Sequence, residues 1–283
     1  MRYYWALLLL FLPTLVRAEP CQRVVPLAPS LAEIVYELGM ETRIAAVPAF
    51  TTYPAVAKQK PTIGALTDLN YEALLMQKPD MVLALSEFRE RIPQIRQLGL
   101  VVEVFEHRSL RGVLESIDDI GAKCAVATQA HALVSKLKAG ADNVRKRYAS
   151  QAIQRVLVVV AEASGTAKSY FLSGTDGYFS DVLQLVAGKN VVQTETFGQS
   201  NISAEGILAL DPDVIVEILP VEDKPEMVEA AIAEWRRIPG LRAVQNGRVH
   251  IFTKDYHTIP GPRFLQLAED LGRILHPQVR LHE

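Results

Sequence analysis

A chain of 283 residues with 49% apolar and 22% charged side chains is long enough for two compact domains and has the composition of an ordinary globular protein, not of a disordered or collagen-like one. A formal charge of -2, with Lys and Arg scattered along the chain, supplies no basic field for nucleic acid. Nothing about a chain of this size requires disulfide or metal staples.

Taken in order, residues 1–18 read as a cleaved secretory signal peptide: Arg2, an apolar run over 5–12, Pro13, then Val16-Arg17-Ala18 at the cleavage site. A membrane anchor would need about 20 apolar residues, and only about a dozen are present. Export puts the mature chain in the periplasm, where its two cysteines, Cys21 and Cys124, form a possible disulfide. Two separate thiols fit the sequence as well, whereas Glu19-Pro20 is poor chemistry for lipid attachment at Cys21.

Residues 23–28 (RVVPLA) read as a buried strand, and 30–39 as a helix with Ser30 at its N-cap and Gly39 at its C-cap. Further strands are expected at 43–47, 81–85 and 101–105, with helices at about 70–77, 88–98 and 109–120. Strands alternating with helices predict a mostly parallel sheet covered on both faces, an N-terminal α/β lobe over 19–122. Residues 125–150 then run without proline, and a helix of that length spans roughly 35 to 40 Å. A long surface helix of the first lobe would fit, but its place between two α/β halves makes segment 123–150 a connecting backbone helix.

The alternation restarts over 151–283, with a strand at 155–161, a helix at 176–188 closed by Gly188, and a strand at 190–192. A helix at 226–238, a strand at 248–252 and a last helix at 264–275, stopped by His276-Pro277, complete a second lobe. The fold class predicted is thus α/β, two similar lobes with mostly parallel sheets bridged by one long rigid helix, with a ligand cleft between them.

One unit is written twice. NYEALLMQKPDMVLAL at 70–85 recurs 133 positions on as SAEGILALDPDVIVEI at 203–218, without a gap. Asn70 and Ser203 are N-caps, Pro79 and Pro212 stop the helices, and Glu72 and Glu205 fall in the first turns, where free amides favour a carboxylate.

In this order and spacing, RVVPLAPSLAEIVYELG, FTTYP at 50–54, the two repeated units and DYHTIPGPR near the end resemble the periplasmic solute-binding proteins of vitamin B12 and iron-chelate ABC importers. The resemblance runs from about residue 23 to residue 277. It implies a monomeric ligand carrier, not an enzyme, that docks on an inner-membrane ABC permease and its ATPase through Glu72 and Glu205. It also implies a ligand between the lobes, contacted from strand-end loops by Phe50, Tyr53, Leu66, Leu85, Phe88, Phe171, Gln199, Asp255, Tyr256 and His257.

The cargo is then a metal chelate, with no intrinsic cofactor and no directly bound metal. A corrinoid leads, since apolar walls with few polar anchors suit a macrocycle. Leu66, Leu85 and Gln199 nevertheless stand where tryptophans line the clefts of vitamin B12 receptors of this type. Haem would need an axial Tyr or His, offered by Tyr53, Tyr256 or His257. A ferric siderophore would want cations, offered by Arg89, Arg91, Arg108, Lys168, Lys254 and Arg263. A two-lobe enzyme is the remote alternative, and the sequence lacks a G-x-S-x-G elbow, a P-loop, a G-x-G-x-x-G and an H-E-x-x-H.

Overall fold

The computed structural model describes residues 21–65, 68–161, 170–174, 177–193, 203–219 and 224–279. The expected signal peptide lies outside them, as do Leu66, Lys168 and Gln199. No helix among the described residues is long and apolar enough to cross a membrane.

Strand β1 (Val24–Pro26) is wholly buried and leads into helix α1 (Pro29–Glu37). Its N-cap is Ala28, not Ser30, because Pro29, whose fixed φ suits a first helical position, starts the helix one residue earlier. Ser30 is thereby drawn inside the first turn, buried, with its hydroxyl 2.8 Å from His107 Nδ1. The other end closes at Gly39 as the sequence predicts. With φ +72, Gly39 lets its own amide reach Tyr36 O and that of Met40 reach Val35 O, the paired closure that requires a left-handed residue.

Residues 43–47, expected as a strand, make only single bridges, Val24 to Ile44 and Val47 to Thr62. The run is hemmed in by a 3-10 turn at Glu41–Arg43 and by Pro48, which leaves too little chain for a ladder. Helix α2 (Tyr71–Met76) leads to β2 (Met81–Leu85), α3 (Ile92–Gln97), β3 (Val102–Phe105) and α4 (Leu110–Lys123). Pro93 is accommodated in the first turn of α3, so that helix starts later than expected, and Ser86–Phe88 form a separate 3-10 turn. The first sheet has order β1-β2-β3, all parallel, in register Val25 to Val82 and Ala84 to Val104.

Helix α5 (Ala127–Tyr148) follows, 22 residues or about 33 Å long. The second half contains β4 (Gln154–Ala161), β5 (Tyr170–Leu172), α6 (Tyr178–Leu185), β6 (Gly188–Asn190), α7 (Ala204–Leu210), β7 (Val214–Ile218), α8 (Pro225–Trp235), α9 (Arg242–Gln245), β8 (Val249–Phe252) and α10 (Phe264–Leu275). Parallel strands run β4-β7-β8; β6 pairs in parallel with the start of β4, and β5 pairs antiparallel with its end. Gly188, expected to close α6, begins β6 instead, and the left-handed residue that ends the helix is Ala187 at φ 50. Position 188 still needs glycine, since a Cβ there would sit 2.9 Å from a Leu183 methyl and 3.0 Å from one of Leu275.

The duplicated unit is a built module. Asn70 Oδ1 accepts the Ala73 amide and Ser203 Oγ the Gly206 amide. Asp80 accepts the amide of Arg23 and Asp213 that of Arg155, each carboxylate pinning the strand beside it. Each of those arginines also donates to a carbonyl at the end of the repeated helix, Arg23 to Gln77 O and Arg155 to Leu210 O. The repeat therefore extends, beyond the stretch visible in sequence, to the first strand of each lobe.

The lobes are fastened together along their length. Helix α5 packs on α4 of the first half and on α6 and α10 of the second. Small residues allow close approach: a Cβ on Gly121 would meet Ala130 at 2.2 Å, and one on Gly140 would meet Leu265 at 2.4 Å. One apolar cluster runs continuously from Val24 and Leu83 through Leu137 to Val156 and Leu271. Asp181 of α6 accepts the amide of Leu110 at the start of α4, 2.9 Å away. Cys21 and Cys124 form a disulfide, Cα atoms 5.2 Å apart, which ties the start of the described chain to the end of α4. A thiol held in that bond is not available for a lipid.

Candidate functional site: the cleft between the lobes

The carboxyl ends of β1 and β2 and the segment after β8 converge on a pocket of about 460 Å³. From the first lobe its wall takes Pro29 and Ser30 at the start of α1, with Ala49, Phe50, Leu85 and Phe88. The second lobe contributes Thr258, Ile259 and Pro260. A crevice outside the carboxyl ends of parallel strands is where open α/β sheets bind ligands.

Three of the expected contact residues meet here. Leu85 and Phe88 are buried wall residues, whereas Phe50 is 81% exposed and held at φ 66, a left-handed backbone that bulky side chains seldom adopt. Backbone strain of this kind clusters at ligand clamps, held by the structure around it. Phe171 lies in β5, and Leu66 and Gln199 lie outside the described residues.

The other four serve internal contacts. Asp255 accepts from Thr52 Oγ1 at 2.7 Å and from Arg263 Nη1 at 2.8 Å. Burial would raise its carboxyl pKa, but these bonds outweigh burial and hold it below the usual range. The Tyr53 ring lies under the Arg263 guanidinium, 4.2 Å from its centroid. Tyr256 donates its hydroxyl to Asp270 at 2.6 Å. His257 receives the Lys254 amide on Nδ1 at 3.1 Å and bonds Asp270 through Nε2 at 2.9 Å. Both ring nitrogens are thus engaged. Burial works against the Asp270 charge, yet the His257 and Tyr256 bonds bring that carboxyl down to about 2.

Two residues beside the cleft, Glu33 and His107, are missed in the sequence, where Arg263 entered only as a cation for a siderophore. Glu33 is buried on the inner face of α1 and receives Arg263 through Nε at 3.0 Å and through Nη2. Burial pushes its carboxyl up to about 7 against the pull of Arg263. Arg263 would be lowered by burial but is raised by its bonds to Glu33 and Asp255. His107, bonded to Ser30, is pushed down to about 4 by burial. The signal available was a carboxylate on the apolar face of the helix expected at 30–39, which requires a cation from elsewhere in the chain.

Glu72 and Glu205 both stand exposed in the first turns of α2 and α7. Their own helices supply equivalent neighbours, and Leu75 and Leu208, also 133 positions apart, are exposed one turn on. The Glu205 amide and the Ser203 hydroxyl hold the Glu205 carboxyl below its usual range. Arg89 and Arg108 line a separate recess of about 330 Å³ beside the cleft, shared with Glu87 and Glu90. No group of His, Cys, Asp and Glu among the described residues is arranged to hold a metal ion.

Two α/β lobes around a bridging helix, with an apolar cleft at their strand ends, define a ligand-binding protein of the two-lobe class. Residues 24–256 match the periplasmic binding protein family, and the chain belongs to it. It is 29% identical over 267 residues, 93% of this chain and 82% of the relative, to the uncharacterized ABC transporter substrate-binding lipoprotein YvrC of Bacillus subtilis (strain 168). The vitamin B12-binding protein of Yersinia pestis (strain Pestoides F) is 26% identical over 283 residues, 98% of this chain and 95% of that one. The crystal structure of a periplasmic heme binding protein from Pseudomonas aeruginosa superposes with TM-score 0.76 at 25% identity, covering 93% and 95% of the two chains.

Proposed function

We propose that this protein is the periplasmic substrate-binding component of an ABC importer that captures a corrinoid between its lobes and delivers it to the permease. The observation that carries the ligand class is the fate of the axial groups: Tyr256 and His257 are both committed to Asp270, and Tyr53 is stacked under Arg263. Among the described residues the cleft offers a mostly apolar wall, with Glu87 as its charged member and Phe50 free to lie on a macrocycle, which suits a ligand that brings its own metal ligands. A ferric siderophore is less well served, since Arg263 is taken by two carboxylates and Arg89 and Arg108 share their recess with two more. In this reading residues 1–18 are a cleaved signal, 19–122 and 151–283 are the lobes, and 123–150 is the backbone helix.

Delivery works through the paired corners. Glu72 and Glu205 sit at equivalent helix starts, so one partner with two cationic sites can grip both lobes at once, and exposed charges of this kind set register and on-rate more than affinity. A continuous core and a welded helix favour little hinge closure on capture. The experiment is the double reversal Glu72→Lys with Glu205→Lys. Uptake through the cognate permease should be lost while ligand affinity of the purified protein is unchanged; uptake at wild-type level refutes the docking role.

A further inference from the structure

Among the described residues the second lobe reaches the pocket through Thr258, Ile259 and Pro260, and this segment lies in neither a strand nor a helix. It is the crown of a loop whose base is closed by Arg263 donating to Asp255 at 2.8 Å, with the Thr258 hydroxyl and amide on Asp255 O. The base is fixed, in turn, to the other lobe. Glu33 takes two bonds from Arg263 across 230 residues of sequence, and Thr52 donates to Asp255 at 2.7 Å. Gly261, next to Pro260, lies so close that a Cβ would be 3.2 Å from Glu33 Oε2 and 3.5 Å from the Ser30 Cβ.

A buried ion pair is a poor source of stability, because desolvating both charges offsets most of the attraction and an apolar pair would hold the lobes as well. What it does supply is direction: two parallel bonds from a planar guanidinium fix angle as well as distance. Helix α1 carries both Pro29 and Ser30 of the pocket wall and, one turn on, Glu33, so the same helix sets both sides of the cleft.

We propose that Glu33 is a positioning residue for the cleft: through Arg263 it holds the Thr258–Ile259–Pro260 wall in the ligand-accepting position and so controls affinity without touching the ligand. The proposal rests on the reading of this cleft as the ligand site. The charged and titratable groups around Glu33 are Arg263 and Asp255 of the loop, Glu37 on its own helix, Tyr178 from α6, and His107, which bonds Ser30 one turn earlier. Burial pushes the Glu33 carboxyl up to about 7, and Glu33→Gln reproduces its protonated form.

The test compares wild type, Glu33→Gln and, as a milder variant that keeps every buried charge, Thr52→Val. Amide exchange is followed at Thr258, whose amide donates to Asp255 O, in the ligand-free protein, and affinity for cyanocobalamin and for haemin is measured by calorimetry from pH 8 to pH 6. Glu33→Gln should lose about tenfold in protection at that amide with β2 and β7 unchanged, and Thr52→Val should lose less. Affinity of Glu33→Gln for the probe that wild type binds should fall about tenfold at pH 8. In wild type the affinity should weaken towards pH 6, while in Glu33→Gln it stays level, a difference that a purely structural role would not produce. Unchanged protection in both variants overturns the latch, and lost protection with wild-type affinity overturns the positioning role. Wild-type protein that binds neither probe refutes the ligand reading alone, because the exchange comparison still decides the latch.

Discussion

Phe50 separates binding from folding more cleanly than any other residue of the cleft. It is 81% exposed, so truncation removes almost no packing, whereas Phe88 in the same wall is 2% exposed and belongs to the core. Covering a whole phenylalanine is worth about 1.5 to 3 kcal/mol, so a ligand that covers the exposed four-fifths of this one gains about 1 to 2.5 kcal/mol. Phe50→Ala should therefore weaken cyanocobalamin binding roughly 5- to 60-fold. Its unfolding free energy should change by less than about 0.5 kcal/mol, the range for surface substitutions. Phe50→Gly adds a control: at φ 66 glycine relieves about 1 kcal/mol of backbone strain, so it should melt at or above the temperature of Phe50→Ala while binding as poorly. Calorimetric titration and thermal denaturation of the three proteins give both quantities. Full affinity in Phe50→Ala, or a large loss of stability, would refute the argument.

Two further outcomes follow from contacts outside the pocket. Asp270 is brought from an ordinary 3.8 to about 2, and because its side chain is only 13% exposed the shift corresponds to about 2 kcal/mol. A lowered folded pKa stabilises above the unfolded value, so Asp270→Asn should cost about that much at pH 7 and progressively less as the pH falls from about 4 to 2, read from denaturant midpoints. The Cys21–Cys124 bond spans 103 residues, for which loop-closure entropy gives about 4 to 5 kcal/mol. The double alanine variant should melt roughly 10 to 18 °C lower with unchanged ligand affinity, and a shift under about 3 °C would show that the bond constrains little.

The alternation of strands and helices was legible because each strand is a short β-branched run and each helix has a cap or a stop of its own, as at Gly39 or His276-Pro277. Long α5 and terminal α10 were legible for the same local reason. Where long-range packing decides, the sequence misled: Ser30 looked like a cap and became a buried partner of His107, 77 residues away. Residues 43–47 carry strand composition, yet the turn before them and Pro48 after them cut their pairing with β1 to a single bridge. In the cleft, Phe50, Leu85 and Phe88, named through the resemblance, line the pocket, but nothing local distinguishes Tyr256 or His257 facing a ligand from the same residues bonded to Asp270. The pairing of Glu33 with Arg263 across the lobe boundary was equally hidden, since it exists only once both lobes are assembled.

One titration decides the ligand. Purified protein lacking residues 1–18 is titrated calorimetrically with cyanocobalamin, haemin and a ferric siderophore in turn; Trp235 is an unsuitable reporter, being buried in the second lobe with its indole N–H donated to Glu217. Binding of cyanocobalamin at one site per chain, weakened by Phe50→Ala and without comparable heat from haemin, is the predicted result. Binding of haemin or the siderophore in its place would contradict the corrinoid assignment.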